Sequence, residues 1–132
     1  MNHITEAEKL RETTERHYNC AQSVLIPFAG EARLDSETAY KIASGFGSGM
    51  KTGGVCGAIT GGAMVLGLFD LDTPENMQTL FRKVRDLHEG YTDCRDLLAL
   101  NAKNGGERKP HCDNMVYEVI KIVEQIIAES IN

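Results

Sequence analysis

The fold is decided by one stretch, residues 44–70, which reads SGFGSGMKTGGVCGAITGGAMVLGLFD. Its first half is dense in glycine, and residues 55–69 carry no charge. This order is typical of a loop that leads into the start of a buried helix. About 15 uncharged residues fall short of the roughly 20 that a membrane span needs. The stretch therefore predicts a central core helix, with no direct insertion into a membrane.

Small residues recur along this predicted helix, some of them four positions apart. At that spacing they lie on one face, where they let a neighbouring helix approach closely. Each interior glycine costs a helix about 1 kcal/mol relative to alanine, so packing against neighbours has to stabilise it. We therefore expect other helices to press directly on its glycines. The small residues are Gly57, Ala58, Gly61, Gly62, Ala63 and Gly67.

The other segments also show helical periodicity, with few β-branched alternations. We predict an all-α protein in which residues 1–132 form one domain, a compact bundle of five to six helices around the central Gly/Ala-rich helix. Pro27 should end or kink the second helix, and the last helix should begin near Pro110. The wide apolar stripe of that last helix indicates burial between two layers or a homo-oligomer contact. The expected helix caps are Thr5, Asn19, Asp35, Thr73, and Thr92 or Asp93.

Charge and composition exclude some classes of function. The formal net charge is -5 and no basic block occurs, so we expect no binding to nucleic acid or to an anionic membrane surface. The first residues are polar and contain no apolar signal segment, which makes the cytoplasm the expected location. The glycine-rich loop does not match a phosphate-binding motif, because Met50 stands where such a motif requires glycine.

Four cysteines carry the candidate chemistry: Cys20, Cys56, Cys94 and Cys112. No CxxC pair occurs, but each cysteine falls in the predicted first turn of a helix. Unsatisfied amides and the positive end of the helix dipole favour a thiolate there, which is the form that reacts and that binds metals. Thiol–disulfide chemistry is one interpretation, and no cofactor is then needed. The alternative is a metal site with these four ligands, either zinc or an iron–sulfur cluster.

Neighbouring residues suggest how the four thiols differ. Cys56 has glycines around it and no acidic residue nearby, so we expect it to be the attacking thiolate and the fastest to be alkylated, with Cys20 as competitor. Asp93 and Asp113 stand beside Cys94 and Cys112, where a carboxylate would raise the thiol pKa.

Two histidines also bear on the site. His111 abuts Cys112 and is a candidate base or imidazolium partner for it. His88 lies on the apolar side of its helix, which is typical of a hydrogen-bonded boundary residue.

With these residues in hand, the chain resembles the C_GCAxxG_C_C family of redox-active proteins. The resemblance rests on Asn19-Cys20-Ala21, on Cys56-Gly57-Ala58-Ile59-Thr60-Gly61, on Asp93-Cys94-Arg95 and on Cys112 before the last helix. The family name writes glycine before the second cysteine, whereas here Val55 precedes Cys56 and Gly57 follows it.

The resemblance implies a small helical protein of bacteria or archaea with four functional cysteines, often encoded near transporter genes. The partner would then be a redox protein and, if the gene neighbourhood guides it, a membrane transporter. A third hypothesis follows, in which the chain is a non-catalytic partner of a transporter that senses redox state. Four cysteines allow three pairings, and the residues alone do not choose among them.

Overall fold

The structure is a computed structural model that describes residues 2–131. The all-α prediction is confirmed, since the described residues contain seven α-helices and no β-strand. There are more helices than the five to six expected because residues 3–29 form two helices separated by a non-helical segment. The helices are α1 (His3–Glu12), α2 (Cys20–Ala29), α3 (Ser36–Ala43), α4 (Gly57–Leu68), α5 (Pro74–Leu87), α6 (Cys94–Lys103) and α7 (Arg108–Ser130).

Helix α4 lies at the centre, packed against α2 on one side and α7 on the other. The predicted close approach at its glycines is confirmed. A Cβ atom on Gly61 would lie 2.8 Å from the Ala21 carbonyl oxygen in α2, and one on Gly62 would lie 2.6 Å from a Val119 methyl in α7. Gly57 likewise faces the start of α2. Small residues therefore let three helices meet, and this contact offsets the poor helix propensity of α4.

Two substitutions in α4 test this packing. Gly61→Ala should lower the free energy of unfolding by about 1–3 kcal/mol, because the added methyl meets backbone that cannot move aside. Gly67→Ala is the matched control, since a Cβ there meets nothing within 4 Å and alanine improves helix propensity. Thermal unfolding should show a lower Tm for the first variant and an unchanged or higher Tm for the second. Equal Tm values would show that α4 does not need its glycines.

Several helix starts agree with the sequence. The Asn19 side-chain oxygen accepts a hydrogen bond from the Gln22 backbone amide, and the Gln22 side-chain oxygen accepts one from the Asn19 backbone amide. These two bonds form a capping box. The Asp35 side chain caps α3, and Thr73 caps α5 ahead of Pro74. These local bonds set where α2, α3 and α5 begin.

Three expected boundaries were wrong. The first helix begins at His3 with Asn2 as its cap, rather than at Thr5. Pro27 does not end α2, which continues to Ala29, whereas a kink at Pro27 stays a prediction. The last helix begins at Arg108, so Pro110 occupies its first turn, where a missing amide hydrogen leaves no bond unmade.

The wide apolar stripe of α7 is explained by burial, because α7 packs against α1, α2, α4, α5 and α6. A homo-oligomer contact is therefore not needed to account for its width and stays a prediction. No helix within residues 2–131 combines the length and the apolar character that crossing a membrane requires. The buried side chains of the stripe are Met115, Val116, Val119, Ile120, Ile122, Val123 and Ile126.

Candidate functional site

All four cysteines line one cavity of about 110 Å³ near the N-terminal ends of α2, α4, α6 and α7. Cys20 and Cys94 are the first residues of their helices, and Cys56 is the residue before α4. Cys112 differs from the prediction, because α7 begins at Arg108 and places it about one turn further along. All four are free thiols. The fold thus gathers cysteines that are distant in sequence.

A short backbone pairing brings Cys56 and Cys94 together. The Cys56 amide donates to the Thr92 carbonyl oxygen at 2.9 Å, and the Cys94 amide donates to the Gly54 carbonyl oxygen at 2.6 Å. Val55 and Asp93 form the isolated bridge between these two bonds. The link fixes the start of α6 against the start of α4.

The glycine-rich loop closes one side of the cavity with a left-handed turn. Four consecutive residues, Ser48, Gly49, Met50 and Lys51, have positive φ angles of 52°, 61°, 58° and 59°. Left-handed backbone costs a residue with a side chain about 1–2 kcal/mol, so the turn is strained at its three non-glycine positions. It holds Ser48 at the cavity, where the Ser48 hydroxyl accepts from Arg108 at 3.3 Å.

Cys112 is the thiol most easily ionised. A hydrogen bond with Cys20, with help from Arg11 and Arg108 and against the effect of burial, lowers the pKa of Cys112 to about 6. The same bond, together with burial, raises the pKa of Cys20 well above its ordinary value. The two thiols therefore titrate as a coupled pair that shares one proton near neutral pH, and the two arginines beside Cys112 favour the thiolate on that side.

Cys56 and Cys94 stay protonated. Burial raises the pKa of Cys56 to about 11, although the Ala58 and Ile59 amides at the start of α4 favour its thiolate. Burial also raises the pKa of Cys94. The expected ranking of Cys56 as the attacking thiolate is not supported, because desolvation outweighs the helix start that suggested it.

The cations beside Cys112 were missed by sequence reasoning. Arg11, in α1, lies against Asp113 at 2.7 Å and also donates to the Tyr18 carbonyl oxygen at 2.9 Å. Lys109 contacts the same carboxylate at 3.0 Å. Two cations thus contact Asp113 and offset its negative charge. The expectation that Asp113 raises the Cys112 pKa was therefore wrong. Arg108 stands one helical turn before Cys112, and that spacing was the available signal.

The two histidines have different roles. His88 contacts Glu118 at 2.7 Å and is partly buried, as expected of a hydrogen-bonded boundary residue. His111 lines the cavity with Cys112, and burial lowers its pKa. Its imidazole is therefore neutral near pH 7, which favours a base over an imidazolium partner.

A metal site requires several donor atoms around one point. The cavity holds the four cysteines that the metal alternative names, Cys20, Cys56, Cys94 and Cys112. Within residues 2–131, however, no three histidine, cysteine, aspartate or glutamate residues are grouped so that they could hold a metal ion. The arrangement suits proton sharing between two thiols better than ligation of an ion.

Comparison with models of known protein families found a match. A family model described as "Putative redox-active protein (C_GCAxxG_C_C)" matches residues 18–126, which include all four cysteines. No curated protein and no solved structure matches the chain.

Proposed function

The chain belongs to the C_GCAxxG_C_C family, and from this premise we propose that it performs thiol–disulfide exchange with Cys112 and Cys20 as the reacting pair. The observation that carries the proposal is that Cys20 and Cys112 line the same cavity, where the interaction between them lowers the pKa of Cys112 and raises that of Cys20. One is then ready to attack, and the other is held next to it with its proton. Such a division suits a nucleophile and a resolving thiol.

The reaction proceeds in two exchanges. The Cys112 thiolate attacks one sulfur of a substrate disulfide, forms a mixed disulfide and releases the other half as a thiolate. Cys20 then loses its proton and attacks the Cys112 sulfur, which forms a Cys20–Cys112 disulfide and releases the second half. The protein gives up two electrons, and the substrate disulfide becomes two thiols once the protons are taken up. A dithiol reductant reverses these steps.

The second exchange is helped by the first. Once Cys112 is in a mixed disulfide it carries no charge, so it no longer opposes ionisation of Cys20. Arg11 then favours the Cys20 thiolate, since its positive charge lowers the Cys20 pKa. The pKa of the resolving thiol therefore falls after the nucleophile has reacted, although burial still raises it.

Of the three possible pairings, the proposed one leaves Cys56 with Cys94. These two residues are joined through their backbones and keep their protons, which suits a second dithiol that reacts later or not at all. A membrane transporter as partner stays a prediction from the resemblance. Thiol–disulfide exchange requires only some disulfide or dithiol partner.

Trapping the mixed disulfide tests the proposal. Cys20→Ser should accumulate a stable adduct on Cys112 with hydroxyethyl disulfide, because the resolving thiol is gone. The wild-type chain should release that adduct and gain an internal disulfide. Cys94→Ser is the matched control and should resolve as the wild type does. Intact-protein and peptide mass spectrometry read all three, and an adduct that accumulates equally in wild type and Cys20→Ser would refute the assigned pair.

A further inference from the structure

A second cavity adjoins the four-cysteine cavity at Cys112. Its volume is about 350 Å³, within the range of small-molecule sites. Cys112, Arg11, Arg108 and His17 line both cavities, so the two cavities meet at the residue that carries the reactive thiol. We call this second cavity the cationic groove, and its defining residues are Arg11, His17, Tyr18, Arg108, Lys109 and Cys112.

The groove carries more positive than negative charge. Arg11 and Lys109 share one carboxylate, that of Asp113. Arg108 bonds the Ser48 hydroxyl, and among residues 2–131 no carboxylate lies within ion-pair distance of it. Three fixed cations thus face one aspartate and the Cys112 thiolate. A local positive surplus is notable in a chain whose net charge is -5.

Of the three cations in the cationic groove, only Arg11 is needed to hold helices together. The Arg11 side chain is only 10% exposed and ties α1 to α7 through Asp113, which is a structural role. The Lys109 side chain is 63% exposed, and Arg108 is exposed as well. Exposed cations contribute little to stability, yet they attract an anion that enters the groove.

We propose that the cationic groove binds the carboxylate end of a small anionic disulfide and places its sulfur against Cys112. The inference rests on the proposed exchange chemistry and adds the substrate class. Arg108 holds the carboxylate, which its guanidinium can do through two parallel bonds, and Lys109 adds positive charge beside it while it stays paired with Asp113. The Cys112 thiolate then displaces one half of this substrate as a thiolate, and Cys20 releases the other half as described above.

A concave groove of this volume suits a small molecule better than a protein surface, which needs about 800 Å² of contact on each side. The exchange itself needs no further cofactor. Binding should weaken as salt rises, because exposed charges are screened over about 10 Å at 0.1 M ionic strength.

A pair of reagents that differ in charge tests the inference. Iodoacetate and iodoacetamide share a leaving group and a reacting carbon, but only iodoacetate is anionic. At pH 8, where Cys112 is ionised, the ratio of its rates with iodoacetate and iodoacetamide should fall about three- to tenfold in the Arg108→Gln, Lys109→Gln double variant. Lys121→Gln, an exposed cation further along α7, is the control and should keep the wild-type ratio.

The substrate class is tested with 3,3′-dithiodipropionate, which is anionic, against hydroxyethyl disulfide, which is neutral. The double variant should lose about tenfold in the ratio of these two rates. If the double variant leaves both rate ratios unchanged, the proposed anion binding in the cationic groove is refuted, but the proposed exchange chemistry is not. A preference that appears only with an acidic peptide disulfide would also overturn it, in favour of a macromolecular partner. A wild-type chain that reacts with neither disulfide would overturn the proposed function itself.

Discussion

Cys112 should react with iodoacetamide at least about 30-fold faster than Cys56 at pH 7. The pKa values of about 6 and about 11 leave about 90% of Cys112 ionised and about one Cys56 in ten thousand. A thiolate with a higher pKa is the stronger nucleophile. On the scale known for disulfide exchange, this makes each Cys56 thiolate about 200-fold more reactive than a Cys112 thiolate. Burial of Cys56 slows it further. The thiolate fraction therefore decides the ranking.

The alkylation rates of Cys112 and Cys56 should also depend on pH in different ways. A lowered pKa means that the Cys112 thiolate is complete above about pH 7 and is lost as the pH falls through about 6. The Cys112 alkylation rate should be constant from pH 7 to 9 and should fall about tenfold per pH unit below about pH 6. The Cys56 rate should rise throughout that range, because its pKa lies near 11. Timed alkylation with peptide mass mapping measures both, and a Cys56 that labels first would restore the ranking expected from the sequence.

Cys20→Ala should make Cys112 at least about tenfold less reactive at pH 6, because its thiolate loses the hydrogen bond that stabilises it most. The charged and titratable groups that still face Cys112 are Arg11, Arg108, Cys94 and Cys56. The two arginines still lower the Cys112 pKa, but burial opposes them, so the midpoint of the pH profile should move upward. Alanine keeps the Cβ atom and suits the first turn of α2, so the fold should be retained.

Two further variants separate the hydrogen bond from packing. Cys20→Ser keeps a donor and should return part of the lost reactivity, whereas Cys94→Ala should leave the Cys112 midpoint near 6. Circular dichroism checks that all variants are folded. A midpoint that is the same in Cys20→Ala and wild type would show that the two thiols do not share a proton.

Much of the fold could be predicted from the sequence because its signals are local. Asn19, Asp35 and Thr73-Pro74 are helix starts that act within a few residues, and the glycines of α4 mark close contact wherever the partner lies. Pro27 and Pro110 misled for the same reason. Whether a proline ends a helix depends on packing around it, which the local pattern does not contain.

The site could be predicted only in part. The four cysteines and their common place near helix starts were readable, but their acidities were not. Burial of Cys56 outweighs its helix start, and Asp113 is neutralised by Arg11 from the other end of the chain. Both effects are tertiary. A charged residue next to a cysteine in sequence predicts the direction of the thiol pKa shift only when no other charged group contacts that residue.

Cys20 and Cys112 are the two residues that we propose to form the redox disulfide. The most direct measurement is disulfide mapping after the fully reduced protein meets one equivalent of hydroxyethyl disulfide, with remaining thiols blocked in acid. We predict one linked peptide that joins Cys20 to Cys112, with Cys56 and Cys94 alkylated. A first linked peptide that joins Cys56 to Cys94, or a chain that forms no internal disulfide, would contradict the account.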